Sequence, residues 1–195
     1  FFVRDFFDSL FLAFHHVAFQ VASIITTTGF ATVDFNSWPT IPKTILVLLM
    51  FIGACAGSTG GGIKVSRIVL LFRSLTKELS QSLHPNQVRK IHFEGRAVEH
   101  VVLRSVNVFI AAYILIFAIS VLLIGIDNYD LVTNFTAVAA TLNNIGPGLE
   151  LVGPAQNFGL FSNFSKLVLI FDMLAGRLEL FPLLLLFVPN TWRRF

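Results

Sequence analysis

Thr26-Thr27-Thr28-Gly29-Phe30 follows an apolar segment, Leu10 to Ile25, and precedes a polar run, Ala31 to Pro39, and a second long apolar segment. Hydroxyl residues followed by a glycine and an aromatic, set between two membrane-grade helices, are what a potassium filter loop needs. β-Branched threonines favour extended backbone. Gly29 can take the positive φ that lets successive carbonyls point the same way. Carbonyls aimed into a pore can replace the hydration shell of a potassium ion. A bare T-T-G is common as a turn, so the reading leans on a second loop, Asn143-Asn144-Ile145-Gly146-Pro147-Gly148, at the end of another short apolar segment. The chain is read as built around these two loops.

Composition sets the class. Of 195 residues, 55% are hydrophobic and only 13% charged, with a mean hydropathy of +0.77. Soluble domains carry about a quarter charged residues, so this chain has too little charge to coat a water-facing surface. The reading is an all-α integral membrane protein. A net charge of +3 is too small to suggest nucleic acid. The single cysteine, Cys55, sits in an apolar run and reads as a small hydrophobe. The sequence opens on Phe1-Phe2-Val3-Arg4-Asp5 without Met or signal peptide, and is expected to be a fragment.

Leu10 to Ile25, interrupted by His15, His16 and Gln20, is shorter than the roughly 20 residues of a spanning helix. It is expected to be a re-entrant half-helix. Adjacent histidines point to different faces, so His15-His16 reads as polar groups near the membrane boundary and not as a metal site. The run from Ile41 to Ala56 breaks at Gly57-Ser58-Thr59-Gly60-Gly61-Gly62 and resumes at Ile63 through Phe72. Such a break cannot face lipid, because its N–H and C=O groups would lack partners. It must be buried or line a wet cavity. A nucleotide P-loop fails here, since Ile63 holds the place of the lysine and no strand pattern precedes it.

Arg73 to Val101 is a polar interval holding Lys77, Arg89, Lys90 and Arg96, with Lys64, Arg67 and Arg104 at its edges and a turn at His84-Pro85-Asn86. The positive-inside rule places it in the cytoplasm, and Arg193-Arg194 repeats the bias. The two glycine loops, flanked by Asp34, Asp127, Asp130 and Glu150, fall on the opposite side. Val101 to Ile126 is long enough to span. Asp127 to Asp130 supplies caps for a short helix, Leu131 to Leu142, that leads into the second loop. Leu151 to Ser165 is a polar return, and Lys166 to Pro189 the last span. A short helix, a glycine loop and a span thus appear twice, the second time with a leading span. In that last span lie Asp172, Arg177 and Glu179. A mid-membrane charge costs about 2.5–3.5 kcal/mol even on the lenient scale, so it faces an aqueous path or a partner. Asp172 and Arg177 are poorly spaced to neutralise each other. Arg177 is therefore expected to face the ion path, Glu179 to serve as a packing or loop partner, and Asp172 is left without a role.

The loop Thr26 to Phe30, the run Gly53 to Lys64, the stretch Thr141 to Leu149 and Gly176-Arg177-Leu178-Glu179 together resemble the TrkH/TrkG/KtrB family of bacterial Trk potassium uptake subunits. His84-Pro85-Asn86 resembles that family's cytoplasmic loop. The resemblance implies M1–P–M2 pore-loop repeats around one pore, this chain carrying a third repeat without its M1 (1–80), a cytoplasmic linker (81–99) and a complete fourth repeat (100–195). It implies filter residues at Thr27, Thr28, Gly29, Asn144, Ile145 and Gly146. It implies a gating loop at Gly57, Ser58, Thr59, Gly60, Gly61 and Gly62, and a pore-facing Arg177. Asp172 departs from the neutral residue expected of the family. The transported ion would be potassium, with no covalent cofactor and no metal beyond potassium at the filter. The protein would be a multi-pass homodimer in the bacterial inner membrane, regulated by a TrkA-like cytoplasmic nucleotide-binding subunit, and would conduct as a cation channel or an ion-coupled symport.

Two rival readings follow from the residues. A secondary transporter with discontinuous helices would bind a small solute at glycine breaks splitting long spans; here the loops instead end short half-helices on one side. An enzyme would need a Ser/His/Asp or His/Glu set on one face, and the five histidines are scattered.

Overall fold

A computed structural model describes residues 3, 6–7, 9–53, 55, 57–58, 60–84, 91–93 and 95–178. Thr59, Glu179, Pro85-Asn86, Arg89, Lys90 and Arg193-Arg194, all singled out above, lie outside the described residues, as does the side chain of Arg96.

Helix α1 (Leu10–Ile25) begins where the Ser9 hydroxyl accepts from the Leu12 amide. Helix α5 (Leu131–Leu142) begins where the Asp130 carboxylate accepts from the amides of Val132 and Thr133. Both short helices therefore start on a side-chain cap, the one at Asp130 expected from the sequence and the one at Ser9 not. Between them lie α2 (Thr40–Phe51), α3 (Val65–Leu83) and α4 (His100–Ile124), and α6 (Asn163–Leu178) follows α5. α2 starts directly after Pro39 and holds Pro42 in its first turn, where no intrahelical donor is lost. One stretch among the described residues, His100–Asp127, is long and apolar enough to cross a membrane.

α5 is the hub. From Thr133 to Leu142 nearly every residue is buried, with α4, α6 and α2 packed around it. Ala137, Ala139 and Ala140 keep its surface low, so neighbouring backbones come close. α1 is much less enclosed: only Ala13, Gln20, Ser23 and Ile24 are buried, and its main helical neighbour is α2. Phe35, Trp38, Leu46 and Met50 join Ile24 from the first half to Ala139, Ile145 and Leu149 from the second in one apolar cluster. The outer surface is itself apolar, with Phe11 80%, Leu122 76% and Leu131 73% exposed.

The structure corrects the sequence reading at the glycine break. The helix in the apolar run that begins at Ile41 ends before the glycines: α2 stops at Phe51. Ile52–Gly53 (β1) then pairs in parallel with Ile63–Lys64 (β2), Ile52 opposite Ile63 and Gly53 opposite Lys64. The physical cause is tertiary. A Cβ on Gly53 would lie 3.1 Å from the Gly61 carbonyl oxygen and 3.4 Å from Thr27 Cγ2, so the chain there must run extended past the first loop. A second two-residue pair, His92–Phe93 (β3) antiparallel to Arg96–Ala97 (β4), turns the polar interval. These bridges are additions to the all-α expectation. The polar return before α6 also contains two 3-10 turns, Glu150–Val152 and Phe158–Leu160.

Candidate functional site

Both short helices end in the same way. Thr27 and Asn144, each two residues past its helix, have left-handed φ of 55° and 54°. The Thr27 amide donates to the Ile24 carbonyl (3.1 Å) and the Thr28 amide to the Ser23 carbonyl (2.9 Å). The Asn144 amide donates to Thr141 (3.0 Å) and the Ile145 amide to Ala140 (2.9 Å). This is the paired Schellman cap, with the left-handed residue where glycine is usual. Two residues further on, Gly29 and Gly146 are again at positive φ, 78° and 110°. Each loop therefore alternates left-handed and ordinary backbone. The amides face back into the helix ends. No donor among the described residues reaches the carbonyls of residues 27–29 or 144–146.

The two loops touch. A Cβ on Gly29 would overlap the Ile145 carbonyl oxygen and lie 3.3 Å from Pro147 Cδ. Each loop is also anchored to its own helix. The Ser23 hydroxyl donates to the Phe30 carbonyl at 2.6 Å, and the Leu149 amide donates to the Thr136 hydroxyl oxygen at 3.0 Å. The two outer returns are clasped together by Asn36, which accepts from the Glu150 amide (2.9 Å) and donates to the Glu150 carbonyl (3.3 Å). Lys43 adds a looser ion pair with Glu150 at 3.9 Å.

The glycine break lies against the second loop. Cβ atoms on Gly61 or Gly62 would run into Asn143, on its backbone carbonyl and its side chain respectively. The start of the break is more open. Gly57 is exposed, with φ +83° and no atom within 4 Å of the place a Cβ would take. Lys64 Nζ donates to the Ser58 carbonyl at 3.2 Å. Ser58, Gly60 and Gly62 line one side of a cavity of about 240 Å³, with Arg177 and Gly176 of α6 on another. Arg177 is exposed and faces the space that the break lines. The described residues assigned from the sequence to the filter, the break and the pore-facing charge thus fall around the two loops and the space beside the break.

Three residues beyond those assigned to the site, Asn143, Gly176 and Asp172, tie its surroundings together. Asn143 is fully buried, accepts from the Tyr113 hydroxyl at 2.8 Å and donates to the Ala139 carbonyl at 2.7 Å. Gly176 allows α6 to touch the loop: a Cβ there would overlap the Leu142 carbonyl oxygen, and one turn earlier Met173 accepts from the Asn144 side chain at 3.1 Å. Asp172 is fully buried in α6, accepting from the Ser120 hydroxyl of α4 at 2.7 Å. Its second oxygen has no partner among the described residues. A glycine inside an apolar helix, next to Arg177, is the sequence signal for close approach. The partners of Asn143 and Asp172, 30 and 52 residues away, leave no local signal.

At the outer surface, hydrogen bonds from the Thr133 hydroxyl, then from the Thr133 and Val132 amides, hold the Asp130 carboxyl below its ordinary range against a smaller burial effect. Among the described residues no group of three or more His, Cys, Asp or Glu could hold a metal ion.

The family model for TrkH, described as a cation transport protein, matches residues 10–194. The Trk system potassium uptake protein TrkH of Salmonella typhimurium is 44% identical over 190 residues, covering 97% of this chain and 39% of that protein. Its counterpart in Vibrio parahaemolyticus is 46% identical over 181 residues, covering 93% and 37%. The crystal structure of the potassium transporter TrkH from Vibrio parahaemolyticus superposes with a TM-score of 0.88 at 43% identity, covering 98% of this chain and 41% of that one. The chain therefore spans about two fifths of the length of the curated relatives it matches. With the fold and nearly the whole length of the sequence in agreement, the chain belongs to the TrkH cation transport family.

Proposed function

We propose that this chain forms part of the potassium pathway of a Trk-type uptake protein and is not an enzyme. The observation that carries the reading is the pair of touching loops with matching left-handed residues at Thr27/Gly29 and Asn144/Gly146 and carbonyls that no described donor engages. Carbonyl oxygens held this way can replace water around a dehydrated cation. The partly negative C-terminal ends of α1 and α5 favour the same charge. Thr27, Thr28, Gly29, Asn144, Ile145 and Gly146 supply half of the filter, and segments elsewhere in the full-length protein supply the rest.

Under this reading, 1–80 is a repeat lacking its first helix, 81–99 a cytoplasmic linker and 100–195 a complete repeat. The second unit has its leading helix, α4, packed on α5 and α6, while the exposed flank of α1 has no such neighbour among the described residues. The apolar outer surface faces lipid in the bacterial inner membrane. The Gly57–Gly62 break obstructs the path below the filter, and Arg177 across the same cavity opposes cation accumulation until the break moves. A TrkA-like nucleotide-binding subunit on the cytoplasmic side and a second copy of the full-length protein complete the assembly.

The test is rubidium flux into liposomes holding the full-length protein. Replacing Gly146 by valine should abolish flux or erase discrimination against sodium, while removing several residues of Gly57–Gly62 should raise flux. Unchanged flux and selectivity in the Gly146 variant would refute the filter assignment.

A further inference from the structure

The glycine break and the second loop bear on each other at Asn143. This residue is the C-cap of α5 and is followed directly by left-handed Asn144. A Cβ on Gly61 would collide with its backbone carbonyl, and one on Gly62 with its side-chain oxygen. Gly61 reaches toward the first loop as well. Its carbonyl oxygen lies 3.1 Å from the place of a Cβ on Gly53, and that place is 3.4 Å from Thr27 Cγ2. The end of the break is thus wedged between the two loops, with Asn143 as its seat.

Capping alone does not call for this residue. The matching place in the first loop is Thr26, the C-cap of α1. Thr26 is exposed, and its hydroxyl bonds only within its own helix and loop, to the Ala22 carbonyl at 2.7 Å and the Thr28 hydroxyl at 2.8 Å. Asn143 makes the same backward bond, to Ala139, and adds one from α4, where the Tyr113 hydroxyl donates to its Oδ1 at 2.8 Å. Asn143 is 0% and Tyr113 4% exposed. In such an interior Oδ1 left without its donor is costly, so the bond fixes where the side chain sits. Tyr113 also lines the cavity beside the break, with Ser58, Gly60 and Gly62. One side chain therefore borders the break and holds the residue that precedes the loop.

We propose that Asn143, held by Tyr113, is a positioning residue that couples the glycine break to the second loop. The seating of the break and the cation held at the loop then affect one another. This rests on the reading of the two loops as the filter. Coupling of this kind is reciprocal: a cation that favours one placement of Asn143 shifts the break, and moving the break shifts the loop's preference among cations.

The experiment uses full-length protein in detergent with every thiol except Cys55 replaced by serine. Cys55 is exposed just before Gly57, so its rate of labelling by a maleimide reports how the break is seated. The rates in rubidium and in sodium should differ about fivefold, the low end for coupled sites. Tyr113→Phe, which removes only a hydroxyl, and Asn143→Leu, which removes the acceptor at similar size, should each bring the two rates together. Ser120→Ala removes a comparable buried donor, the one to Asp172, and should keep the difference. Thermal unfolding checks that each variant is folded. Equal rates before any of these substitutions, a difference that survives Tyr113→Phe or Asn143→Leu, or one lost equally in Ser120→Ala overturns the coupling. Gly146→Val separates this from the filter reading. If it abolishes discrimination of rubidium over sodium in liposomes while the labelling results fail, the filter stands without the coupling. If it leaves discrimination intact, the filter reading falls and takes the coupling with it.

Discussion

Gly29 and Gly95 provide a matched pair for separating two costs of a side chain. Both have φ +78°, so replacing either by alanine forces an L-residue into the left-handed region, at roughly 1–2 kcal/mol. Gly95, in the turn between β3 and β4, has nothing within 4 Å of the added methyl. At Gly29 the methyl would overlap the backbone carbonyl of Ile145 and press on Pro147. A backbone oxygen cannot swing aside as a flexible side chain can, so one loop must move from the other. Overpacking of this kind costs about 1–3 kcal/mol. Gly29→Ala should therefore destabilise the full-length protein by about 2–5 kcal/mol, against about 1–2 for Gly95→Ala. Denaturant titration in detergent micelles measures both. Rubidium flux supplies the second readout: Gly95→Ala should leave it unchanged, and, if the two loops form the proposed filter, Gly29→Ala should lower it at least tenfold by parting them. Equal destabilisation by the two substitutions, or wild-type flux in Gly29→Ala, would show that the loops do not bear on each other as described.

Ser120→Ala should cost about 1–3 kcal/mol by stripping the donor from buried Asp172, whereas Asp172→Asn keeps that bond and should cost less; a double-mutant cycle by thermal unfolding compares them. Asp130 has a folded-state pKa below its unfolded value, so its stabilisation is complete above the ordinary carboxylate range near pH ~4 and is lost as pH falls through the depressed value. Asp130→Asn should flatten that acid limb of the stability curve, and an unchanged acid limb would contradict the cap. Thr27→Gly should relieve left-handed strain and raise stability by about 1 kcal/mol while reducing discrimination of rubidium over sodium, measured as relative flux. Asn36→Ala should remove both clasp bonds to Glu150 and lower the unfolding free energy, followed by denaturant titration, by about 1–2 kcal/mol.

The loops and short helices are legible in the sequence because their signals are local. A largely apolar segment of sixteen residues followed by Thr-Thr-Thr-Gly, and one of twelve followed by Asn-Asn-Ile-Gly, carry their own length limit and turn chemistry. The end of α2 is not legible, since Ile52 through Ala56 is as apolar as the helix before it; contact with Gly61 and Thr27 stops the helix. Arg177 can be assigned a direction from the cost of its charge alone, but Asp172 cannot, because Ser120 lies on another helix. Thr27 shows most clearly where composition misleads. A β-branched residue is a poor choice for the left-handed position of a Schellman cap, where glycine is free of that penalty. Asparagine at the matching place, Asn144, is tolerated better, yet both loops keep the same φ within a degree and bond the same amides back into their helices. Two different side chains held in one uncommon conformation mean that the backbone, and not the side chain, is what the two loops have in common. The strain at Thr27 then belongs to the turn that both loops share, the turn that brings Gly29 against the Ile145 carbonyl.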